Sequence, residues 1–267
     1  MPFNPISRNS LNYHLAGGSD DFSTPAPESA PQRSVRPYEA FQGLSRQSVS
    51  RRVAETAGDC ANTRRARSRI LPCSGELSGV PHGFTREQIE PYRALERTYA
   101  DLFATTHIRK VSSRSGVPAT TIQDVDMDEC VVINAARDGY DALGTTGVAT
   151  CIAICAQGKN ARGEPILGLC HYSGIQDAEE VLDCVKDMMA ESGVARPEIF
   201  LVGGMISNAE DEGSFEMERD LLALRDRFDI KGAKLHVSMS DSDGEPNSVN
   251  VVMTGNGVYF SEASLYR

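Results

Sequence analysis

The 267-residue chain is predicted to fold as an α+β body, a sheet sandwich or mixed sheet with helices on one face, behind a disordered leader. Three observations predict this. From Glu129 onward, seven short apolar runs read as strands, and only two amphipathic helical stretches interrupt them. The first forty residues, by contrast, hold six Pro and six Ser, a composition with little to bury against the entropy of ordering it.

Residues 1–75 form the predicted leader. Residues 1–72 contain ten Arg/Lys and six Asp/Glu, or +4 of a chain total of -10, leaving -14 for 73–267. The arginines of 51–52 and 64–69 read as a solubilising linker. An acidic body repels a polyanion, which argues against nucleic acid as substrate. No apolar run reaches the length of a membrane span, and Met1-Pro2-Phe3-Asn4 lacks the basic start of a secretory signal. The chain is therefore expected to be made in the cytosol and to engage no membrane.

Residues 76–112 read as a helical extension. Thr85 and Gln88 have capping-box spacing, and Tyr92, Leu95, Tyr99, Leu102 and Phe103 recur on one helical face. Pro91 falls inside that helix, where it removes a hydrogen bond unless the start lies near Glu90.

Residues 113–267 form the predicted main domain. Its strands are expected at 130–133, 148–156, 166–170, 199–202, 235–239, 249–253 and 258–260, the last two joined at Gly255-Asn256-Gly257 as a hairpin. A helix over 176–192 has Ala178, Val181, Leu182, Val185 and Met189 on one face, acidic residues in its first turn, and Gly193 at its end. A second helix, over 214–228, shows Met217, Leu221, Leu224 and Phe228 on a stripe.

Chemistry concentrates at Thr145-Thr146-Gly147-Val148-Ala149-Thr150-Cys151, followed twenty residues later by His171. The spacing predicts a Gly-rich turn and two strands, 149–156 and 165–171. Period-two alternation puts Cys151, Ala153 and Cys155 on one face and Leu167, Leu169 and His171 together. A thiol that passes its proton to an imidazole is a nucleophile for acyl transfer, and the imidazole returns the proton to a departing amine. No carboxylate adjoins either residue, so a hydroxyl of Thr145 or Thr146, or a backbone carbonyl, is expected to orient the ring.

Other chemistries fit less well. Seven cysteines, an odd number with no signal peptide, argue for mostly reduced thiols, with Cys155 and Cys170 as small core residues. No Cys-x-x-Cys pair supports zinc. Gly144-Thr145-Thr146-Gly147 lacks the lysine of a phosphate loop, and Gly203-Gly204 is only a permissive turn, with Ser207-Asn208 beyond it as cleft lining. Asp241-Ser242-Asp243-Gly244-Glu245 reads as a solvated turn rather than a calcium loop.

The runs at 145–154 and 166–171 resemble the CheD and cytotoxic necrotizing factor superfamily of glutamine deamidases, with Thr145, Cys151 and His171 at its catalytic positions. The resemblance spans about 115–262, and Val-Ala-Thr-Cys stands where chemoreceptor deamidases carry a Leu-Gly-Ser-Cys loop. It implies a layered α/β/β sandwich and cofactor-free hydrolysis of a protein glutamine to glutamate and ammonia. The leader resembles that of a type III secreted effector. That implies delivery to a host cytoplasm, a host protein substrate, a secretion chaperone at the N-terminus and a monomeric enzyme. The same Cys–His pair also serves a cysteine protease or a transglutaminase, and a noncatalytic interaction module needs neither.

Overall fold

The computed structural model describes residue 77 and residues 79–208, 213–240 and 247–266. The leader at 1–75 and the acidic turn at 241–245 lie outside the described residues. Helix α1 (Arg86–Thr98) opens with the expected capping box: Thr85 Oγ1 accepts from the Gln88 amide while Gln88 Oε1 accepts from the Thr85 amide. Pro91 lies inside it, and the helix buries Ile89, Tyr92 and Leu95. Tyr99 interrupts the predicted single helix, and α2 (Ala100–Phe103) carries Leu102 and Phe103 inward. Residues 108–110, within the stretch read as helical extension, form an edge strand, β1 (Ile108–Lys110).

The remaining strands are β2 (Ile122–Asp124), β3 (Cys130–Asn134), β4 (Ala142–Val148), β5 (Ile152–Lys159), β6 (Pro165–Tyr172), β7 (Glu198–Gly203), β8 (Met205–Ile206), β9 (Ile230–Lys234), β10 (Ser238–Met239), β11 (Val249–Thr254) and β12 (Gly257–Ser261). They build one five-stranded sheet in the order β1-β12-β11-β4-β2, a second in the order β3-β6-β5-β7-β9, and a two-stranded pair, β10-β8. Residues of both large sheets, among them Leu143, Val148, Val251 and Phe260 of the first and Ala153, Cys155, Leu169 and Val202 of the second, share one core. The alternation predicted for 151–155 and 167–171 holds in this register.

Helix α3 (Ala178–Glu191) covers the other face of the second sheet. Asp177 caps it by accepting from the Glu179 amide at 2.8 Å, and Gly193 takes the left-handed conformation that ends it, at φ 89°. Gly168 on β6 lets the helix approach, since a Cβ there would meet the Met189 sulfur at 3.0 Å. Helix α4 (Phe215–Ala223) is shorter than the predicted 214–228, because the chain passes into turns after Leu224, though Phe228 stays buried. The architecture is α+β, and among the described residues no helix is long and apolar enough to cross a membrane.

Three strand assignments need correction. The run predicted as one strand over 148–156 is two strands of different sheets, separated by bends at Ala149–Cys151. The predicted Gly-rich turn is strand β4 itself. Gly144 belongs in that strand because a Cβ there would meet the Tyr266 ring at 2.6 Å and Ile122 at 2.9 Å, while Gly147, at φ 74°, supplies the turn-like character near its end. The strand predicted over 235–239 shrinks to β10, since His236 sits at φ 40°, and the pairing falls instead to β9, whose Gly232 accommodates Thr105.

Candidate active site

Two sheets meet at the candidate site. After β4 the chain crosses from the first sheet to the second within three residues, Ala149–Cys151, and Cys151 enters β5. Gly203 and Gly204 fix the Cys151 backbone from the neighbouring strand. The Gly204 amide donates to the Cys151 carbonyl at 2.9 Å, and a Cβ on Gly203 would come within 2.6 Å of that oxygen. Close approaches, of the Cys151 carbonyl to Gly203 and of Glu218 and Ser214 to Gly204, explain this glycine pair. Cys151 is half-buried against the core shared by the sheets.

His171 lies within β6 opposite Ala153 and is only 2% exposed. Its backbone is pinned by residues 125–129: the His171 amide donates to Glu129 O at 3.1 Å, and Asp128 N–H donates to His171 O at 2.8 Å. Thr145, wholly buried on β4, reaches across from the facing sheet. Its Oγ1 lies 2.7 Å from His171 Nδ1 and 2.7 Å from Val125 O.

Proton accounting then fixes the tautomer. A carbonyl can only accept, so the single Thr145 hydroxyl hydrogen goes to Val125 O, and Nδ1 must supply the proton of the Thr145–His171 bond. In a neutral ring this leaves a lone pair on Nε2. That atom is buried and has no hydrogen-bond partner, the Cys151 thiol included. Cys151, one residue before β5, packs against the core that holds Ala153, the register partner of His171, with no hydrogen bond between thiol and ring.

Burial pushes the His171 pKa down to about 4 against the opposing charges of Asp128 and Asp126, so the ring is neutral at physiological pH. Burial also raises the Cys151 thiol, and Asp128 adds to this, while the Cys151 amide and the Thr150 hydroxyl pull the other way. The resting pair is thiol and imidazole rather than thiolate and imidazolium.

Thr145 and His171 are therefore brought into direct contact, and Cys151 is placed on their face. Thr146, the alternative orienter, is half-buried and makes no contact in this set. Thr150 and Asp128 join the site although the sequence reading passed over them; adjacency to Cys151 was the available signal for Thr150, and nothing local marked Asp128. Asn208, expected to line the cleft, donates its amide to Ser240 Oγ and accepts at its carbonyl from Gln88. Three of the five described cysteines are free, as the expectation of mostly reduced thiols has it, but Cys170 is not a plain core thiol. Register pairs Cys130 with Cys170 across β3 and β6, and the two form a disulfide, leaving Cys151, Cys155 and Cys184 free among the described cysteines.

A second buried histidine has the opposite character. Both nitrogens of His236 face carboxylates, Nδ1 at 2.8 Å from Glu218 and Nε2 at 3.1 Å from Glu96 of α1. Burial alone would lower its pKa, but the Glu218 charge and the bonds to Glu218 and Glu96 outweigh it and hold the ring up at about 9. His236 is a cationic brace with no nitrogen to spare. Among the described residues no group of His, Cys, Asp and Glu is arranged to hold a metal ion. Neither a family model nor a curated protein matches the chain.

Proposed function

We propose that this protein is a cysteine-dependent protein-glutamine deamidase of the CheD and cytotoxic necrotizing factor kind, with Cys151 as nucleophile, His171 as general base and acid, and Thr145 as the residue that positions the ring. The observation that carries the reading is the unpartnered, buried Nε2 of His171, held in its proton-accepting tautomer by Thr145 on the face that also bears Cys151. The two packed sheets, with α3 on one outer face, support the layered α/β/β arrangement of that superfamily.

The chemistry follows from the two neutral groups. Binding of a substrate carboxamide shifts the side chains around the buried Nε2 and brings thiol and ring together. Nε2 takes the thiol proton as sulfur attacks the amide carbon. The resulting imidazolium, its charge supported by the Nδ1–H bond to Thr145, protonates the nitrogen as the C–N bond breaks and ammonia leaves. Water then gives one proton to Nε2 and attacks the thioester carbon; as the C–S bond breaks the imidazolium returns that proton to sulfur, and the glutamic acid formed loses its own to ammonia or solvent. No cofactor enters these steps. By the same reading the leader directs type III secretion with a chaperone, and the monomeric enzyme meets a host protein in the host cytoplasm.

Mass spectrometry of host proteins exposed to wild type and Cys151→Ala tests this directly. Ammonia release with a gain of about one dalton on a glutamine, lost in the variant, is expected. Full conversion by the variant would sink the reading, a cleaved chain would indicate a protease, and an amine adduct a transferase.

A further inference from the structure

Two loops border the Cys151–His171 face, and they are tied together. Residues 125–129 run beside His171, with Met127 bridged to it, and Ser173, which follows β6, donates from both hydroxyl and amide to Asp128 Oδ1 at 2.5 and 3.3 Å. Large apolar side chains stand exposed on both. Of the four exposed large hydrophobics among the described residues, Met127 at 52% and Ile175 at 70% lie on these loops. Isolated exposed apolar residues are ordinary, but two on the linked borders of a site with an unpartnered buried base mark a contact surface.

The charge of that border has one sign. Asp126 and Asp128 act on His171, and Asp128 acts on Cys151 as well. Asp126 is exposed on the same loop as Met127. A protein segment approaching Cys151 therefore meets negative potential together with two greasy contacts.

Resting on the deamidase reading, we propose that this rim selects its substrate: a glutamine in a segment that carries Lys or Arg and an apolar residue beside it, the cation facing Asp126 and Asp128 and the apolar side chain seated on Met127 and Ile175. Complementary charge raises encounter rate and excludes acidic competitors. The same field acts on the product. Deamidation adds a negative charge to the bound segment, so the converted segment is repelled where the original was held, which favours release.

Synthetic peptides with one central glutamine provide the test, with ammonia release as readout for the full-length enzyme. Lys/Leu-flanked peptide is expected to exceed Glu/Leu-flanked peptide by about tenfold or more in kcat/KM, carried mainly by KM, with the gap narrowing as salt rises to about 0.5 M. Lys/Ser-flanked peptide should fall between them. Asp126→Asn should shrink the charge preference, and Met127→Ser or Ile175→Ser the apolar one, whereas Asp187→Asn on the exposed side of α3 should leave both preferences as in wild type; thermal melts confirm folding. Conversion of all peptides with equal kcat/KM, or preference for the acidic flank, overturns the rim assignment while leaving the deamidase. Conversion of no glutamine, in peptide or host protein, overturns the deamidase and the rim with it.

Discussion

Thr145→Val removes a hydroxyl and keeps the shape of a side chain that is wholly buried. In the native site this hydroxyl takes the proton of His171 Nδ1 at 2.7 Å and thereby biases the ring toward a free Nε2. A lost partner for a buried polar group costs about 1–3 kcal/mol, so the tautomer ratio should move toward Nε2–H by about 5- to 140-fold and unfolding free energy should fall by about 1–3 kcal/mol. During turnover the bond supports a charged ring, worth about 1.5–3 kcal/mol, so kcat should drop by about 10- to 140-fold. Thr145→Ser keeps both bonds and should stay within about threefold of wild type by the same arithmetic. Nitrogen-15 NMR of the imidazole reads the tautomer without any substrate, which separates a positioning role from a general loss of stability. If Thr145→Val kept the native nitrogen shifts and wild-type kcat, the proton accounting at this site would be wrong.

The two buried histidines predict a stability maximum near pH 6.5. The native His171 pKa of about 4 lies below the ordinary 6.5; the unfolded ring therefore binds a proton the native ring refuses, and about 3 kcal/mol present above pH 6.5 is lost as pH falls toward 4. His236, at about 9, behaves oppositely: its contribution is full below pH 6.5 and declines as pH rises toward 9, so urea titrations of His236→Gln should lose the alkaline slope. Cys151, raised by burial, should alkylate slowly at neutral pH and faster only in alkali; rapid labelling at pH 7 would contradict a neutral resting pair. The Cys130–Cys170 bridge closes a separation of 40 residues, and its reduction should lower stability by about 4 kcal/mol. Peptide mapping without reductant should find both thiols blocked.

Local patterns were legible wherever one turn of chain decides the outcome. Thr85 and Gln88 fix a helix start through their own bonds, Asp177 and Gly193 bracket α3, and two-residue alternation sorted Ala153 and Cys155 from Ile152 and Ile154. The thiol, the imidazole and its hydroxyl partner were likewise visible in 145–171 as residue types. What escaped was decided by distant neighbours. Gly144 and Gly147 read as a turn because strand-forming side chains are missing there, and at Gly144 it takes Ile122 and the Tyr266 ring, the latter more than a hundred residues away in sequence, to explain why a strand needs glycine. Gly232 hid β9 for the same reason, with Thr105 filling the space. The Cys130–Cys170 bridge depends on strand register, which neither cysteine announces. The depth of His171 depends on residues 125–129, which bond its backbone from some forty residues earlier in the chain.

His171 hangs from one sheet and the hydroxyl that steers it from the other, with Cys151 at the seam where the backbone changes layers. In the proposed mechanism the interface between the layers therefore serves as the alignment gauge. Sliding one layer along the other by little more than an ångström would stretch the 2.7 Å link beyond hydrogen-bond length, so distant core substitutions that shift this stacking should mute turnover before they unfold the protein.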